Sequence, residues 1–458
     1  MLFFKKISNP GGCFCRIRAD VFANLNKISN LAAVMKKIDY LPRLIDRKIE
    51  SLLETFGAIC IEGPKWCGKT WTGMHHSKSS VMLGDPAGNF QNRQLAMLNP
   101  ALVLDGENPR LIDEWQEVPQ LWDAVRYYAD QNNEKGLFIM TGSSTPQYKG
   151  VMHSGTGRIT RVKMRPMSLY ESGDSDGKVS LTDLFDNTQK DVITGEISLG
   201  RLIELTVRGG WPATLGISSD NAAEISKSYI DSVINNDIGR VTDRKHDRYK
   251  IELLLRSLAR NESTTATNNK LIQDISDIDS QTINKETLSE YLEVLERLFL
   301  IENIKPFSPE LRSGIRIKQA KKRHFTDPSL ACALLGANRE RLSGDLNTYG
   351  FMFESLCERD LLTYAEAISG ELTHFQDYSN NEIDAIIQSG DGRWGCIEIK
   401  LGMNQVDKAA ANLLKMNNFF KNNSSSSPAF LAVICGMTSA AYRRPDGVYV
   451  VPITSLRP

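Results

Sequence analysis

The stretch that most constrains this chain is "GPKWCGKT", Gly63 to Thr70, because it matches G-x-x-x-x-G-K-[ST] and lies between two runs of different character. Before it, "GAICIEG" is a short apolar run ending in glycine, as a buried strand would be; after it, "KTWTGMHHS" opens a helix. Each fixed position has a physical task. Gly63 and Gly68 let the backbone turn so that its N–H groups point inward at phosphate oxygens, and Pro64 and Lys65 belong to the same nucleotide-binding loop. The helix that follows contributes partial positive charge at its N-terminus. Lys69 reaches terminal phosphates and Thr70 offers a hydroxyl to Mg²⁺. A bare glycine turn would satisfy the pattern as well, but strand, loop and helix together favour a nucleotide. Trp66 and Cys67 occupy the tolerant positions; Cys67, close to a helix N-terminus, is a candidate for oxidation.

Such a loop requires an acidic partner at the end of another strand. "RLIDEW" supplies Asp113, to hold the Mg²⁺ shell, and Glu114, to polarise water. The same pair would serve to open a helix. Asp105 in "LVLDGENP" reads instead as a turn. The strand end "FIMTGSS" offers Thr141, Ser143 and Ser144 to the terminal phosphate or its water, or simply as caps. Arg126, Arg158, Arg161, Arg165, Arg208 and Arg240 are all candidate phosphate sensors, and nothing in the sequence selects one. No N-K-x-D guanine-reading pattern stands in the right place, which favours ATP over GTP.

Short apolar runs at 81–86, 109–116 and 136–144, separated by helical segments, predict a parallel α/β sheet. With 458 residues, 41% of them hydrophobic, the chain has room for roughly two to four domains. Lys plus Arg and Asp plus Glu both total 55, so any nucleic-acid surface has to be a local patch. The eight cysteines show no metal or disulfide spacing and point to a reducing cytoplasm. No apolar run approaches the ~18 residues a bilayer span needs. Residues 1–38 read as a mobile tail, with Met35 resembling a natural start; their scarcity of acids also suits an organelle presequence.

Four stretches, "GPKWCGKT", "PRLIDEWQEVPQLWDAVRYYAD", "GLFIMTGSS" and "SGTGRITRVKMRPMSLYESGDSDGKVSL", together resemble a group of prokaryotic AAA-type ATPases in which the ATPase domain is followed by a winged-helix segment and a C-terminal domain of unknown function. "RGGWP", "YIDSVINNDIGRV", "FTDPSLACALLG" and "NEIDAIIQ…CIEIKLG" fit the later parts, so the likeness spans roughly residues 38–458. Members of that group tend to carry Arg-Gln where this chain has Trp66-Cys67. The resemblance implies ATP at Gly63–Thr70 with Asp113 and Glu114; it implies no substrate.

A second constellation lies in "EIDAIIQSGDGRWGCIEIK". Glu398 and Lys400 are two apart on one strand and so share a face; Asp384 begins the strand before it. Ordinary hairpin pairing brings Asp384 to Glu398, where two carboxylates could hold Mg²⁺ beside an ammonium. The pattern looks like the restriction-endonuclease-like nuclease core, with Glu354 at that fold's extra acidic position. A solvated Glu/Lys pair is the plainer reading. Three helical runs over 250–300, followed by "FLIENIKPF" and "IRIKQAKKRHFT", fit a winged helix. Its recognition helix would be 284–298 and its basic wing Arg316, Lys318, Lys321, Lys322 and Arg323. Against this, "KETLSEYLEVLERLF" is acidic for a groove helix.

The expectation is an α/β chain: tail 1–38, P-loop ATPase domain 39–175, helical lid 176–240, winged helix 241–335 and nuclease-like α/β domain 340–458. Its expected activity is Mg²⁺-dependent ATP hydrolysis coupled to the later modules. DNA and further copies of the chain are the partners considered. The alternative is an ATP-dependent switch with an inactive nuclease-like fold.

Overall fold

The computed structural model describes residues 40–144, 152–241, 246–278, 283–308, 320–379, 381–424 and 426–458. The expected tail, 1–38, and Arg316 and Lys318 of the expected wing lie outside them.

The first layer begins with helix α1 (Asp46–Thr55), which buries Ile49. Strand β1 (Ala58–Glu62) is buried along its whole length, as a strand covered on both faces must be. Helix α2 (Lys69–His76), β2 (Ser79–Met82), α3 (Ala87–Leu98), α4 (Ala101–Leu104), β3 (Arg110–Asp113), α5 (Gln120–Asn132), β4 (Phe138–Gly142) and β5 (Ile159–Lys163) follow. The five strands form one sheet in the order β2-β3-β4-β1-β5, parallel at every pairing. Strand β4 therefore lies between β1, which leads into the glycine loop, and β3, which ends on Asp113. Asp105 sits exposed in the turn after α4, as expected.

After β6 (Val179–Ser180), α6 (Leu181–Phe185) and β7 (Val192–Ile193), the chain becomes helical: α7 (Leu199–Arg208), α8 (Ser219–Ser232), a π-helical turn at Val233–Asp237, α9 (Ile238–Val241), α10 (Arg248–Arg260), α11 (Asn268–Ile278) and α12 (Lys285–Arg297). Side-chain caps on the first-turn amides fix several starts: Ser198 for α7, Ser218 for α8, Asp247 for α10 and Asn284 for α12. Strands β8 (Ile301–Pro306) and β9 (Lys322–Phe325) pair antiparallel behind them.

The last part holds α13 (Pro328–Leu335), α14 (Arg339–Gly344), α15 (Leu346–Ala367), β10 (Glu371–Gln376), β11 (Glu382–Gln388), β12 (Trp394–Gly402), α16 (Val406–Asn423), β13 (Phe430–Met437), β14 (Ala440–Arg443), β15 (Tyr449–Pro452) and β16 (Leu456–Arg457). Here the structure departs from the expected division. A nine-stranded mixed sheet runs β7-β14-β15-β13-β12-β11-β10-β8-β9. Its edges come from the segments expected to be lid and wing: β7 pairs with β14, and β8 pairs with β10. Strand β6 pairs with β16 at the C-terminus. The expected boundaries near 240 and 335–340 thus cut through one hydrogen-bonded sheet. The hairpin is no free wing: Lys322 is buried, and Arg323 donates to Ala266 O and, at 2.7 Å, to Asn268 Oδ1.

The motifs "RGGWP" and "FTDPSL" meet in the core between these parts. Gly210 N donates to Asp327 Oδ2 at 2.9 Å, and that carboxylate also takes Arg359 Nη1 at 2.9 Å. A Cβ on Gly210 would stand 2.1 Å from Met167 O, so only glycine permits this approach.

Candidate nucleotide site and C-terminal carboxylate cluster

The ends of β1, β3 and β4 converge on one cleft. Gly68 has φ 105°, a left-handed value that glycine tolerates, and it hands the chain directly to α2. Arg43, buried, underpins the loop: it donates to Cys67 O and Arg165 O, both at 2.8 Å, and to Glu171 at 2.9 Å. Lys69 is folded back onto the loop, donating to Gly63 O at 3.0 Å and Pro64 O at 2.7 Å. Thr70 Oγ1 donates to Asp113 Oδ1 at 2.8 Å, and Thr141 Oγ1 to the same oxygen at 2.6 Å. Thr141 also accepts from Glu114 N at 3.1 Å. Glu114 is held in turn: Ser143 Oγ donates to its Oε2 at 3.1 Å, and Gln116 Nε2 donates to the same oxygen. Burial pushes the Asp113 carboxyl above its ordinary value, opposed by the Thr141 and Thr70 hydroxyls. Trp66 and Glu114 both adopt left-handed backbone, at φ 65° and 58°, which is uncommon for bulky residues and concentrates at working sites.

The cleft encloses about 1380 Å³. Lys65, Lys69, Thr70, Glu114, Ser143 and Ser144 line one side; Pro212, Ala213, Ile225 and Asp237, from the helical segment, line the other. Lys65 Nζ crosses to Asp237 at 2.5 Å, at the π-helical turn, and the Trp66 indole meets Tyr229 edge-on at 5.4 Å.

The structure therefore brings Gly63, Pro64, Lys65, Gly68, Lys69, Thr70, Asp113, Glu114, Thr141 and Ser143 together. Five of the six candidate arginines are held in ion pairs of their own. Arg126 and Arg158 pair with Asp130, Arg161 with Glu62, Arg165 with Glu302 and Glu366, and Arg208 with Asp174. Of Arg240 only the backbone is described. Among the described residues, Arg93, paired with Glu117 at 3.0 Å, brings a guanidinium to the cleft lining, and Gln116 lines it too. Neither was singled out, because an arginine and a glutamine in helical segments carry no spacing signal. Cys67, the candidate for oxidation, has its side chain fully enclosed, with its Sγ 3.7 Å from Met164 O.

The second constellation also assembles. Strands β11 and β12 pair from Gln388↔Trp394 to Ala385↔Ile397, one step short of Asp384 and Glu398. Lys400 Nζ bridges the two carboxylates, 2.8 Å from Asp384 Oδ2 and 2.8 Å from Glu398 Oε2. Ile399 N donates to Asp384 at 2.8 Å, and Asn412 Nδ2 to Glu398 Oε1 at 2.8 Å. Glu354 and Glu358, four apart on α15 and so on one face, add two more carboxyls, both in contact with Lys322. Burial raises the Glu354 and Glu398 carboxyls to about 7. Among the described residues, no group of three or more His, Cys, Asp or Glu side chains is arranged to hold a metal.

Residues 55–172 match an AAA domain family. Residues 199–341 match the domain of unknown function DUF8612, and 349–456 the domain of unknown function DUF4143. Uncharacterised proteins of Mycobacterium bovis and Mycobacterium tuberculosis are each 22% identical over 362 residues, 77% of this chain and 72% of the relative. Among solved structures, a Walker-type ATPase of Pyrococcus abyssi is 16% identical, covering 65% of this chain and 96% of that one at a TM-score of 0.40. The first layer thus carries the segment that matches the AAA domain family. No helix among the described residues is long and apolar enough to cross a membrane.

Proposed function

We propose that the chain binds ATP with Mg²⁺, hydrolyses it, and passes the state of the nucleotide to its helical segment and C-terminal body. The observation that carries this reading is the meeting of Lys69, Thr70 and Glu114 on one cleft, with Asp113 and Thr141 hydrogen-bonded to them just behind its wall, from three adjacent strand ends.

The donor set fits a Mg²⁺–nucleotide: a hydroxyl and a carboxylate stand in contact beside the glycine loop at the N-terminus of α2. Bound Mg²⁺ supplies charge neutralisation of the phosphates. Thr70 and Asp113 are the groups that would hold it. Lys69 would exchange the carbonyls of Gly63 and Pro64 for phosphate oxygen. Thr141 keeps Asp113 in place, while Ser143 and Gln116 orient Glu114 as the base for water. The Lys65–Asp237 pair and the Trp66–Tyr229 contact give the loop a mechanical grip on α8 and the π-helical turn. Phosphates that draw Lys65 away from Asp237 would release that grip.

We read α10–α12 with β8 and β9 as a winged-helix-like module, and the sheet around β11 and β12 as a nuclease-like fold that serves for docking. Two observations favour docking over DNA cutting. The outer face of α12 exposes Glu286, Glu293 and Glu296, which phosphates would repel. Cleavage at Asp384 and Glu398 would also call for a divalent ion where Lys400 Nζ lies.

The test is Lys69→Ala, assayed for ATP binding, for hydrolysis, and for hydrogen exchange over 225–241. Loss of charge-assisted bonds worth about 1.5–3 kcal/mol weakens ATP roughly 10- to 100-fold. ATP should alter exchange over 225–241 in the wild type and not in the variant. Hydrolysis that survives Lys69→Ala, or exchange indifferent to ATP, would overturn the respective half of the reading.

A further inference from the structure

We infer that Lys322 is a built-in cation of the C-terminal carboxylate cluster and that it, with Lys400, keeps divalent metal out. A likeness to a metal-dependent nuclease core would ask Asp384, Glu398 and the α15 carboxyls to share a metal. The residues as arranged do not fit that ion.

The argument starts from the valence of an ammonium, which has three N–H donors and no acceptor. Lys322 Nζ spends them on Glu354 Oε1, on Glu358 Oε1 at 2.6 Å and on the main-chain oxygen of Asp384 at 3.3 Å. No donor is left over, and the side chain is 3% exposed. Every partner is an oxygen of the kind a hard divalent ion collects. The ammonium therefore sits where the α15 carboxyls and the Asp384 strand converge, which is where a metal would sit. Lys400 does the same on the strand side, satisfying Asp384 Oδ2 and Glu398 Oε2, while Asn412 takes the other oxygen of Glu398.

An incoming divalent ion would have to break these contacts and remain beside two ammonium groups, with little water to screen the repulsion. Glu358 Oε2 lies 3.3 Å from His324 Nδ1 and finds no hydrogen-bond partner, so the cluster retains one oxygen facing inward that the lysines leave unused. Removing Lys322 would leave Glu354, Glu358 and Asp384 without their shared cation, and that is the arrangement a divalent ion would enter.

Lys322 comes from β9, inside the segment that matches DUF8612, and its acidic partners lie in the segment that matches DUF4143. The same contact that excludes metal therefore clasps the two segments together. Sequence reasoning placed Lys322 on a basic wing because its neighbours are basic. Only the fold reveals that it turns inward.

The experiment counts Mn²⁺ bound per full-length chain, from the loss of the free-ion electron spin resonance signal. It compares wild type, Asp384→Asn, Lys322→Met and Lys322→Met with Asp384→Asn, all without nucleotide. Any ion at Asp113 is common to all four and cancels. Equal stoichiometry in wild type and Asp384→Asn, with one additional ion in Lys322→Met that Asp384→Asn abolishes, is the expected result. An ion that the wild type loses on Asp384→Asn overturns the inference, as does a folded Lys322→Met that gains none. Should Lys322→Met fail to fold, the wild-type comparison decides alone: equal counts support the inference and a lost ion refutes it.

Discussion

Asp113 depends on two hydroxyls, and Thr141 carries more of the site than a strand-end threonine would suggest. It is wholly buried, donates to Asp113 at 2.6 Å and accepts from Glu114 N at 3.1 Å, so one side chain fixes both acids. Thr141→Val keeps the volume, leaves the Glu114 N–H unpaired and takes a donor from Asp113. We expect a stability loss of about 1–3 kcal/mol, the cost of stranding a buried polar group. We also expect kcat for ATP hydrolysis to fall at least tenfold with little change in ATP affinity. Urea unfolding and steady-state kinetics check this; unchanged kcat would remove Thr141 from the site. Gly63–Thr70 and Asp113–Glu114 were legible in sequence because their chemistry sits at fixed local spacing. Thr141 was legible only as one of three hydroxyls, since choosing among them needs the pairing of β4 with β1 and β3. Arg93, Arg43 and Lys322 were illegible: each acts through a partner distant in sequence.

Elements in this chain are joined by buried acids as much as by apolar faces. Glu262, just after α10, accepts from Phe325 N on β9 and, at 2.6 Å, from Ser355 Oγ on α15. Burial raises its carboxyl to about 8, with Asp327 adding to the rise while the Ser355 and Phe325 bonds oppose it. His324 Nδ1 stands 3.9 Å away. The folded state thus holds this proton more tightly than the unfolded chain, where the ordinary value is 4.5. The group's contribution to stability is complete below that ordinary value and is lost as pH rises through about 8. Glu262→Gln should flatten the stability profile between roughly pH 5 and roughly pH 9, a difference on the order of a few kcal/mol at about 1.36 kcal/mol per unit. Urea midpoints at the two ends measure it. A variant whose profile stays parallel to the wild type would show that Glu262 is ionised throughout. Helices such as α10 and α12 could be read from their apolar spacing. The two-residue strands β6 and β7 could not, because two residues carry no period.

At the scale of the molecule, the decisive fact is that the nine-stranded sheet joins β10 to β15, which lie within the DUF4143 match, to β7, β8 and β9, which lie before it. The expected boundary at 335–340 falls between these strands, yet hydrogen bonds cross it. Strand β8 pairs with β10, Ser175 Oγ donates to Leu456 O at 2.8 Å, and Arg457 Nε donates to Gly177 O at 2.9 Å. Phe307, beyond the β8 end, packs on Trp394 at 4.8 Å within the same core. A fragment of residues 340–458 therefore loses β6, β7, β8 and β9, strips the cation from Glu354 and Glu358, and bares the β10 edge with its apolar face. Unpaired edges and unpaired buried acids both work against a single packed state. We expect that fragment to unfold without a cooperative transition and to associate, whereas residues 176–458, which retain every strand of the sheet, should melt cooperatively. Circular dichroism melts and sedimentation of the two fragments decide the matter. A cooperative, monomeric 340–458 would mean that the C-terminal strands fold on their own and that the outer strands merely dock, in which case nucleotide-driven movement of the helical segment could leave the sheet intact. A cooperative 176–458 alone would mean that any signal leaving the P-loop through Lys65 and Asp237 must strain the body that also contains Lys322, so that the cleft and the carboxylate cluster are coupled through one folding unit.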